Sequence, residues 1–190
     1  MKKALILSAL LATAASFAHA ETATYAIDPT HTFVTYEIQH FGTSTNRGRF
    51  DKKEGVVQLD KAAKTGKVDI SFDITSVNTG VAAMNKHLLS DDFFSAEKFP
   101  TAKFVGDKFT FSGDKVTEVS GQLTMKGKTA PATLKASNFN CYDSPMLKRE
   151  VCGGEFTAFI DRTQWGFDYG LAYGFSKNVN LVIQVEAIKQ

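Results

Sequence analysis

The chain has 190 residues, a length typical of one domain with a sizeable core. It carries 22 Lys and Arg against 20 Asp and Glu, and two of those bases, Lys2 and Lys3, lie at the extreme N-terminus. Residues 21–190 are therefore balanced in charge, which argues against a nucleic-acid partner. A hydrophobic content of 43% excludes a disordered chain, and two cysteines are too few for a disulfide-dense miniprotein.

The first twenty residues are typical of an export signal. A positively charged start is followed by an apolar run of about a dozen residues, short of the ~20 that a membrane span needs. Ala18-His19-Ala20 then supplies the small-x-small pattern of a signal-peptidase site. We expect cleavage after Ala20, a mature domain of residues 21–190 and a periplasmic location.

Period-two alternation of apolar and polar residues predicts strands along most of the remaining chain. The candidates are residues 32–38, 56–60, 68–74, 101–105, 108–111, 119–125, 132–136, 156–160 and 179–187. One apolar face and one polar face are typical of antiparallel strands with a single buried side. Only residues 81–94 interrupt the pattern, because Val81, Met84 and Leu88 are spaced for a short helix. Eight or nine strands fit a barrel or a sandwich, and periodicity does not decide between them.

Cys141 and Cys152 are predicted to form a disulfide, since an oxidising compartment favours the pairing of an even number of cysteines. Residues 142–151 between them are rich in charge and contain a proline, which indicates an exposed loop. Closing a loop of this length stabilises a fold by roughly 2–3 kcal/mol in the chain-entropy model. The spacing is not C-x-x-C, so a redox centre is not favoured.

Phenylalanine is unusually frequent, with fifteen of the sixteen lying after residue 20. Several of them, including Phe41, Phe93 and Phe94, fall outside the clean strand pattern, and we expect them to cover the mouth of a barrel. An aromatic and aliphatic lining with few polar groups is typical of a site for an apolar ligand.

Several short segments, weak singly, occur in an order and spacing that match a known family. They are His31-Thr32-Phe33-Val34, Ile38-Gln39-His40-Phe41-Gly42, Gly48-Arg49-Phe50, His87-Leu88-Leu89-Ser90-Asp91-Asp92-Phe93-Phe94, Phe99-Pro100, Phe104, Gly121-Gln122-Leu123-Thr124-Met125-Lys126-Gly127 and Asp161-Arg162-Thr163-Gln164-Trp165-Gly166. Over about Tyr25 to Ala187 the sequence resembles the YceI-like family of polyisoprenoid-binding periplasmic proteins with a lipocalin-like barrel. Residues 140–154 look like an insertion relative to shorter members.

The resemblance implies an all-β fold, an eight-stranded antiparallel lipocalin-like barrel with a short helical segment near 81–94. It implies a carrier or store of an isoprenoid quinone or polyprenyl lipid in the barrel lumen, without enzymatic activity and with no cofactor beyond that ligand. Transient contact with a membrane is expected for such a protein. For the oligomeric state, a monomer and a homodimer are both compatible with the sequence.

The candidate ligand-binding residues follow from the aromatic pattern and the resemblance. The candidates for the lumen lining are Phe33, Phe72, Met84, Leu88, Phe93, Phe94 and Phe104. Phe41 is expected at the mouth, and His87 and Arg49 are the candidates for contacts with a ligand head group. No residue is assigned as catalytic or as a metal ligand.

A second hypothesis is an enzyme, or a redox or metal protein, that uses His31, His40 and His87. His31 and His40 are nine residues apart, which would place them on opposite faces of one unbroken strand. No metal or nucleophile motif accompanies them. A third hypothesis is a structural or stress-response protein whose barrel is simply packed with side chains.

Overall fold

A computed structural model describes residues 22–190, so the proposed export signal lies outside the described residues. The strands are β1 (Ala23–Ile27), β2 (Phe33–His40), β3 (Ser44–Phe50), β4 (Lys53–Asp60), β5 (Thr65–Asp73), β6 (Val77–Asn78), β7 (Thr101–Ser112), β8 (Lys115–Met125), β9 (Lys128–Asp143), β10 (Glu150–Asp161) and β11 (Asn178–Lys189). One α-helix, α1, spans Ala82–Leu89. Short 3₁₀ turns lie at Ile74–Ser76, Arg162–Trp165 and Leu171–Tyr173. Among the described residues, no helix is long and apolar enough to cross a membrane.

The eleven strands build a closed antiparallel barrel of eight. Strands β1 and β2 are two halves of one bent strand, because both pair with β11. In the same way, β4 pairs with β1 and β3 pairs with β2. Next to them, β5 pairs with β4 and β6 pairs with β3. The pairing of β11 with the first strand closes the barrel. The predicted eight-stranded barrel is confirmed, and the sandwich alternative is wrong.

The two ends of the barrel differ in the length of their connections. We define the lower end of the barrel as the end that carries the turns 61–64, 113–114 and 144–149. The upper end carries the turn 126–127 and two longer segments, 79–100 with α1 and 162–177 with the last two 3₁₀ turns. Longer segments give the upper end enough chain to cover the barrel interior.

The structure departs from the sequence pattern at several elements, each for a physical reason. The two candidates 101–105 and 108–111 form one strand, β7, in which a bulge near Gly106 interrupts the alternation. Strand β3 was not predicted because its sequence, STNRGRF, is mostly polar. Its Gly48 lies beneath the ring of Tyr36 on β2, where a side chain would collide with that ring.

Cys141 and Cys152 form the predicted disulfide and lie directly opposite each other on β9 and β10. The exposed loop expected over residues 142–151 is shorter than predicted, because the two strands continue past the cysteines and pair Asp143 with Glu150. Only residues 144–149 form the turn. The disulfide is therefore a cross-strand bond near the tip of a hairpin.

The double substitution Cys141→Ala and Cys152→Ala is expected to lower the free energy of unfolding by about 2–3 kcal/mol, because the denatured chain regains the entropy of an open loop. Urea titration followed by circular dichroism measures the change. Wild-type protein unfolded in the presence of a reductant should match the double variant, which has no cysteine. An unchanged free energy of unfolding would show that the bond does not stabilise the fold.

Candidate functional site

The barrel interior encloses an apolar cavity of about 140 Å³. It is lined by Tyr25, Thr32, Val34, Phe50, Val57, Leu59, Val68, Ile70, Phe72, Ala102, Phe104, Phe109, Val116, Val119, Leu123, Met125, Ala132, Leu134, Phe139, Cys152, Gly153, Phe156, Leu181, Ile183, Val185 and Ala187. Among these side chains, none is a carboxylate, an imidazole or an amine. The lumen therefore offers shape and apolar surface rather than charge.

Strand periodicity explains why these side chains meet. Successive residues of a strand point to opposite faces, so every second residue of β11 points inward. The alternation fills the lumen with aliphatic and aromatic groups, such as Leu181, Ile183 and Val185, while Asn180 and Gln184 lie on the other face.

The size of the cavity limits what it holds without rearrangement. An engineered apolar cavity of about 150 Å³ stays dry and binds one benzene. A water molecule in such a lining would lack hydrogen-bond partners, which makes wetting unfavourable. The described lumen therefore fits one ring-sized or branched hydrocarbon group.

The lower end of the cavity is closed by Tyr25, whose hydroxyl donates a hydrogen bond to Glu150 Oε1 at 2.6 Å. Lys61 contacts the other oxygen of Glu150. Burial raises the pKa of Tyr25, and the hydrogen bond to Glu150 and its charge raise it further. The Tyr25 phenol therefore stays protonated, and the Glu150 carboxylate satisfies its hydrogen-bond donor.

The upper end is closed by the segment 162–177. Trp165 is fully buried and its indole N–H donates to the carbonyl of Leu123 at 2.8 Å. Arg162 is also buried and donates to three backbone carbonyls, those of Ser176 at 2.9 Å, Phe167 at 2.6 Å and Tyr169 at 2.9 Å. The Arg162 guanidinium thus holds the segment 162–177 across the upper end of the barrel.

A second small cluster of buried residues lies beneath α1 at the same end. Leu88 is buried in it, and Phe93 and Phe94 pack against it. The ring of Phe94 lies 5.7 Å from that of Phe50 and 5.0 Å from that of Phe167. Because Phe50 also lines the cavity, this cluster sits directly on the upper end of the lumen. We call Leu88, Phe93 and Phe94 the upper plug.

The structure separates the residues predicted from sequence into different places. Phe72 and Phe104 line the cavity, while the three residues of the upper plug border it. Their part in ligand binding stays a prediction.

Phe33 and Arg49 do not line the lumen. The neighbours of Phe33 on each side, Thr32 and Val34, point inward, so Phe33 faces outward. Its ring lies under two cations, with Lys53 Nζ at 4.5 Å and Arg49 Cζ at 5.2 Å. Arg49 Nε also binds Asp51 Oδ1 at 2.7 Å on that outer face.

Phe41 and Met84 do not line the lumen either. Phe41 is 55% exposed at the β2–β3 turn, where its ring packs 4.6 Å from that of Phe175. Met84 is 40% exposed on α1, because the helix buries Leu88 instead. Both residues lie at the upper end of the barrel.

The three histidines among the described residues make separate contacts. His31 Nδ1 lies 2.8 Å from Asp28, and this carboxylate raises the pKa of the imidazole. Burial acts to raise the pKa of Asp28, but hydrogen bonds from His31 and Thr30 outweigh it and lower the pKa to about 2. The His31 contact is a local structural hydrogen bond.

The other two histidines belong to aromatic groups at the upper end. The His40 ring lies 4.9 Å from that of Phe41, while His87 Nε2 lies 3.1 Å from Asp92 Oδ2 and its ring 5.0 Å from that of Phe93. Within residues 22–190, the one group with metal-ligand spacing contains the two disulfide cysteines, whose sulfurs are already bonded. The described histidines therefore do not form a shared site.

Several lumen phenylalanines were not among the predicted site residues. They are Phe50, Phe109, Phe139 and Phe156. The alternation of β10 could have identified Phe156, which shares its face with Ala158 and Ile160. Phe109 was hidden because it follows the bulge in β7, where alternation is interrupted.

A family model for the YceI-like domain matches residues 25–187. The chain belongs to the YceI-like family. It is 34% identical to a UPF0312 protein of Shewanella denitrificans and 33% identical to the protein YceI of Escherichia coli O157:H7, in each case over the whole of both chains. The predicted family membership is thereby confirmed.

Solved structures show the same fold. The Campylobacter jejuni YCEI protein is 28% identical with a TM-score of 0.66, covering 80% of this chain and 90% of that one. A polyisoprenoid binding domain from Saccharophagus degradans matches with a TM-score of 0.61 at 16% identity, covering 90% of this chain and all of that one. At that identity the second likeness concerns the fold alone.

Proposed function

We propose that this protein is exported to the periplasm and there binds an isoprenoid lipid, a quinone or a polyprenyl lipid, in the barrel lumen. The observation that carries the proposal is the wholly apolar cavity inside a closed barrel. The shared fold with a protein described as a polyisoprenoid binding domain supports it. A lumen without acid, base or imidazole favours binding over catalysis.

A long chain needs more room than the described cavity gives. The upper plug shares one apolar cluster with Phe50 and Phe72 at the top of the lumen, and α1 contributes Leu88 to it. Movement of Leu88, Phe93 and Phe94 would extend the apolar space without exposing charge. In this proposal these residues give way to the ligand and then contact it.

The energetics favour exchange with a membrane over extraction from water. Burying one CH₂ is worth about 0.8 kcal/mol, so a forty-carbon chain would gain roughly 30 kcal/mol from water. Non-covalent affinities saturate at roughly 18–21 kcal/mol, so water is not the useful reference state. The lipid begins in a bilayer that is already apolar, and the lumen competes with it. A small net preference suits a carrier or store that loads and unloads.

Mass spectrometry of protein purified from the native periplasm tests the proposal. Organic extraction should release a prenyl lipid at about one per chain, and the intact mature chain should begin at Glu21. An unrelated periplasmic protein prepared in parallel controls for lipid carried over nonspecifically. Absence of prenyl lipid, together with failure to take up a quinone from vesicles, would contradict the proposal.

A further inference from the structure

The tip of the β9–β10 hairpin, at the lower end, presents two adjacent apolar side chains to solvent. Met146 is 90% exposed and Leu147 is 49% exposed. Single exposed apolar residues are ordinary on protein surfaces. Met146 is the most exposed large apolar side chain of the described residues, and its neighbour Leu147 is also apolar. Both lie in the turn between β9 and β10, and neither contributes to the barrel core.

The tip is held in place by its backbone. Ser144 is buried, its N–H donates to the carbonyl of Arg149 at 2.9 Å, and its own carbonyl accepts from the Lys148 N–H at 2.9 Å. The Ser144 hydroxyl accepts from the Leu147 N–H at 3.2 Å. The disulfide between Cys141 and Cys152 joins β9 and β10 next to this turn. Because the turn is already ordered, binding through it costs little conformational entropy.

Two cations follow the apolar pair directly. Lys148 and Arg149 are exposed, and neither forms a salt bridge within the part of the chain that the structure describes. Glu150 is next in sequence, but Lys61 and Lys189 offset its charge.

Asp143 opposes these cations from the end of β9. It is one carboxylate against the two bases Lys148 and Arg149, so residues 143–149 carry a net positive charge. An apolar tip flanked by unpaired bases is complementary to an anionic, amphipathic surface.

We propose that this hairpin tip docks the barrel on a bilayer containing anionic lipid. Met146 and Leu147 enter the head-group region, and Lys148 and Arg149 contact lipid phosphates. This inference rests on the proposed function for its purpose, because a barrel that exchanges lipid works at a membrane surface. The docked end lies opposite the upper plug, so docking holds the barrel at the bilayer while ligand passage past the plug is a separate step. The same hairpin contributes Cys152 to the cavity lining, so docking brings the lumen wall close to the bilayer.

Co-sedimentation with vesicles of phosphatidylethanolamine and phosphatidylglycerol, against vesicles of phosphatidylcholine, tests the docking. Wild-type protein should bind the anionic vesicles, and less so at high salt. Replacing Met146 and Leu147 with serine should weaken binding by about tenfold or more, because both apolar contacts are lost. Lys148→Asn with Arg149→Gln should weaken it by about fivefold per charge. Asparagine suits position 148 because its φ is +54°.

Two matched substitutions elsewhere should leave vesicle binding unchanged. Phe159→Ser removes an 81% exposed ring from the outer wall of β10, and Lys86→Gln removes an exposed cation from α1. Met146→Trp adds a direct probe, whose emission should shift to the blue only with anionic vesicles. The natural Trp165 is buried and gives a constant background.

The outcomes separate this inference from the proposed function. Tip variants that still yield prenyl lipid on extraction but no longer bind vesicles support the docking. Wild-type protein that fails to bind anionic vesicles, or tip variants that bind like wild type, overturn it. Self-association that the tip variants abolish overturns it in favour of a second copy. Absence of prenyl lipid in a wild-type protein that binds vesicles contradicts the proposed function and leaves the docking standing.

Discussion

Replacing Ala132 with phenylalanine is expected to reduce lipid retention by more than tenfold. Ala132 is buried on β9 and lines the cavity. The substitution adds a phenyl ring, and a cavity of this kind holds about one benzene. The new ring therefore occupies the space that a ligand needs, without adding charge. Extraction and mass spectrometry of variant and wild type, expressed identically, measure the loss.

The neighbouring residue supplies the control. Thr133 is exposed on the opposite face of the same strand, where its hydroxyl lies 2.9 Å from that of Ser120. Thr133→Phe makes a comparable addition outside the barrel and should leave retention unchanged. Overpacking typically costs about 1–3 kcal/mol, so the free energy of unfolding is measured for both variants. A folded Ala132→Phe protein with wild-type lipid content would show that the ligand lies elsewhere.

The barrel was predictable because most of its strands bury one face. Strands such as β11 alternate without interruption, and one-sided burial imposes this pattern whatever the neighbouring strands are. Closure was not available from periodicity, since a sandwich buries the same faces, and it came from the family resemblance. The bend that divides the first strand into β1 and β2 leaves no clear pattern either, because residues 28–32 form a turn inside a continuous wall strand.

The lumen lining was harder to predict than the strands, because one irregular residue changes which positions face inward. On β9, Ala132 and Leu134 line the cavity, but Phe139 does so beyond the bulge. Ser137 is the extra residue there, since Ala136 and Asn138 pair with adjacent residues of β10. The aromatic pattern placed Phe33 in the lumen, but its neighbours Thr32 and Val34 are the residues that face inward.

The contacts of the upper plug could not be derived from the sequence. Phe94 meets Phe50 and Phe167 from segments far apart along the chain. Local pattern shows only that these aromatics lie outside regular strands. Which of these aromatics share one cluster is decided by how the segments 79–100 and 162–177 fold over the upper end of the barrel. The prediction that Phe93 and Phe94 cover a barrel mouth agrees with their position at the upper end.

Trp165→Ala is expected to destabilise the protein by about 3–5 kcal/mol, the usual cost of truncating a buried tryptophan. Since domains are stable by about 5–15 kcal/mol, this is a large part of the total. Trp165 is 1% exposed and closes the upper end beside Arg162. Its loss leaves a void and removes the donor to the carbonyl of Leu123. Urea unfolding followed by far-ultraviolet circular dichroism measures the change, because the variant lacks the chain's one tryptophan.

Trp165→Phe separates packing from hydrogen bonding. Phenylalanine keeps an aromatic ring but leaves the Leu123 carbonyl without its donor, which costs about 1–3 kcal/mol. We expect it to fall between wild type and Trp165→Ala. If both variants cost the same, the hydrogen bond accounts for the stabilisation and the ring only positions it. If neither costs more than about 1 kcal/mol, the upper end is not a stable closure. Arg162 and its three carbonyl bonds would then have to hold the segment without support from the indole.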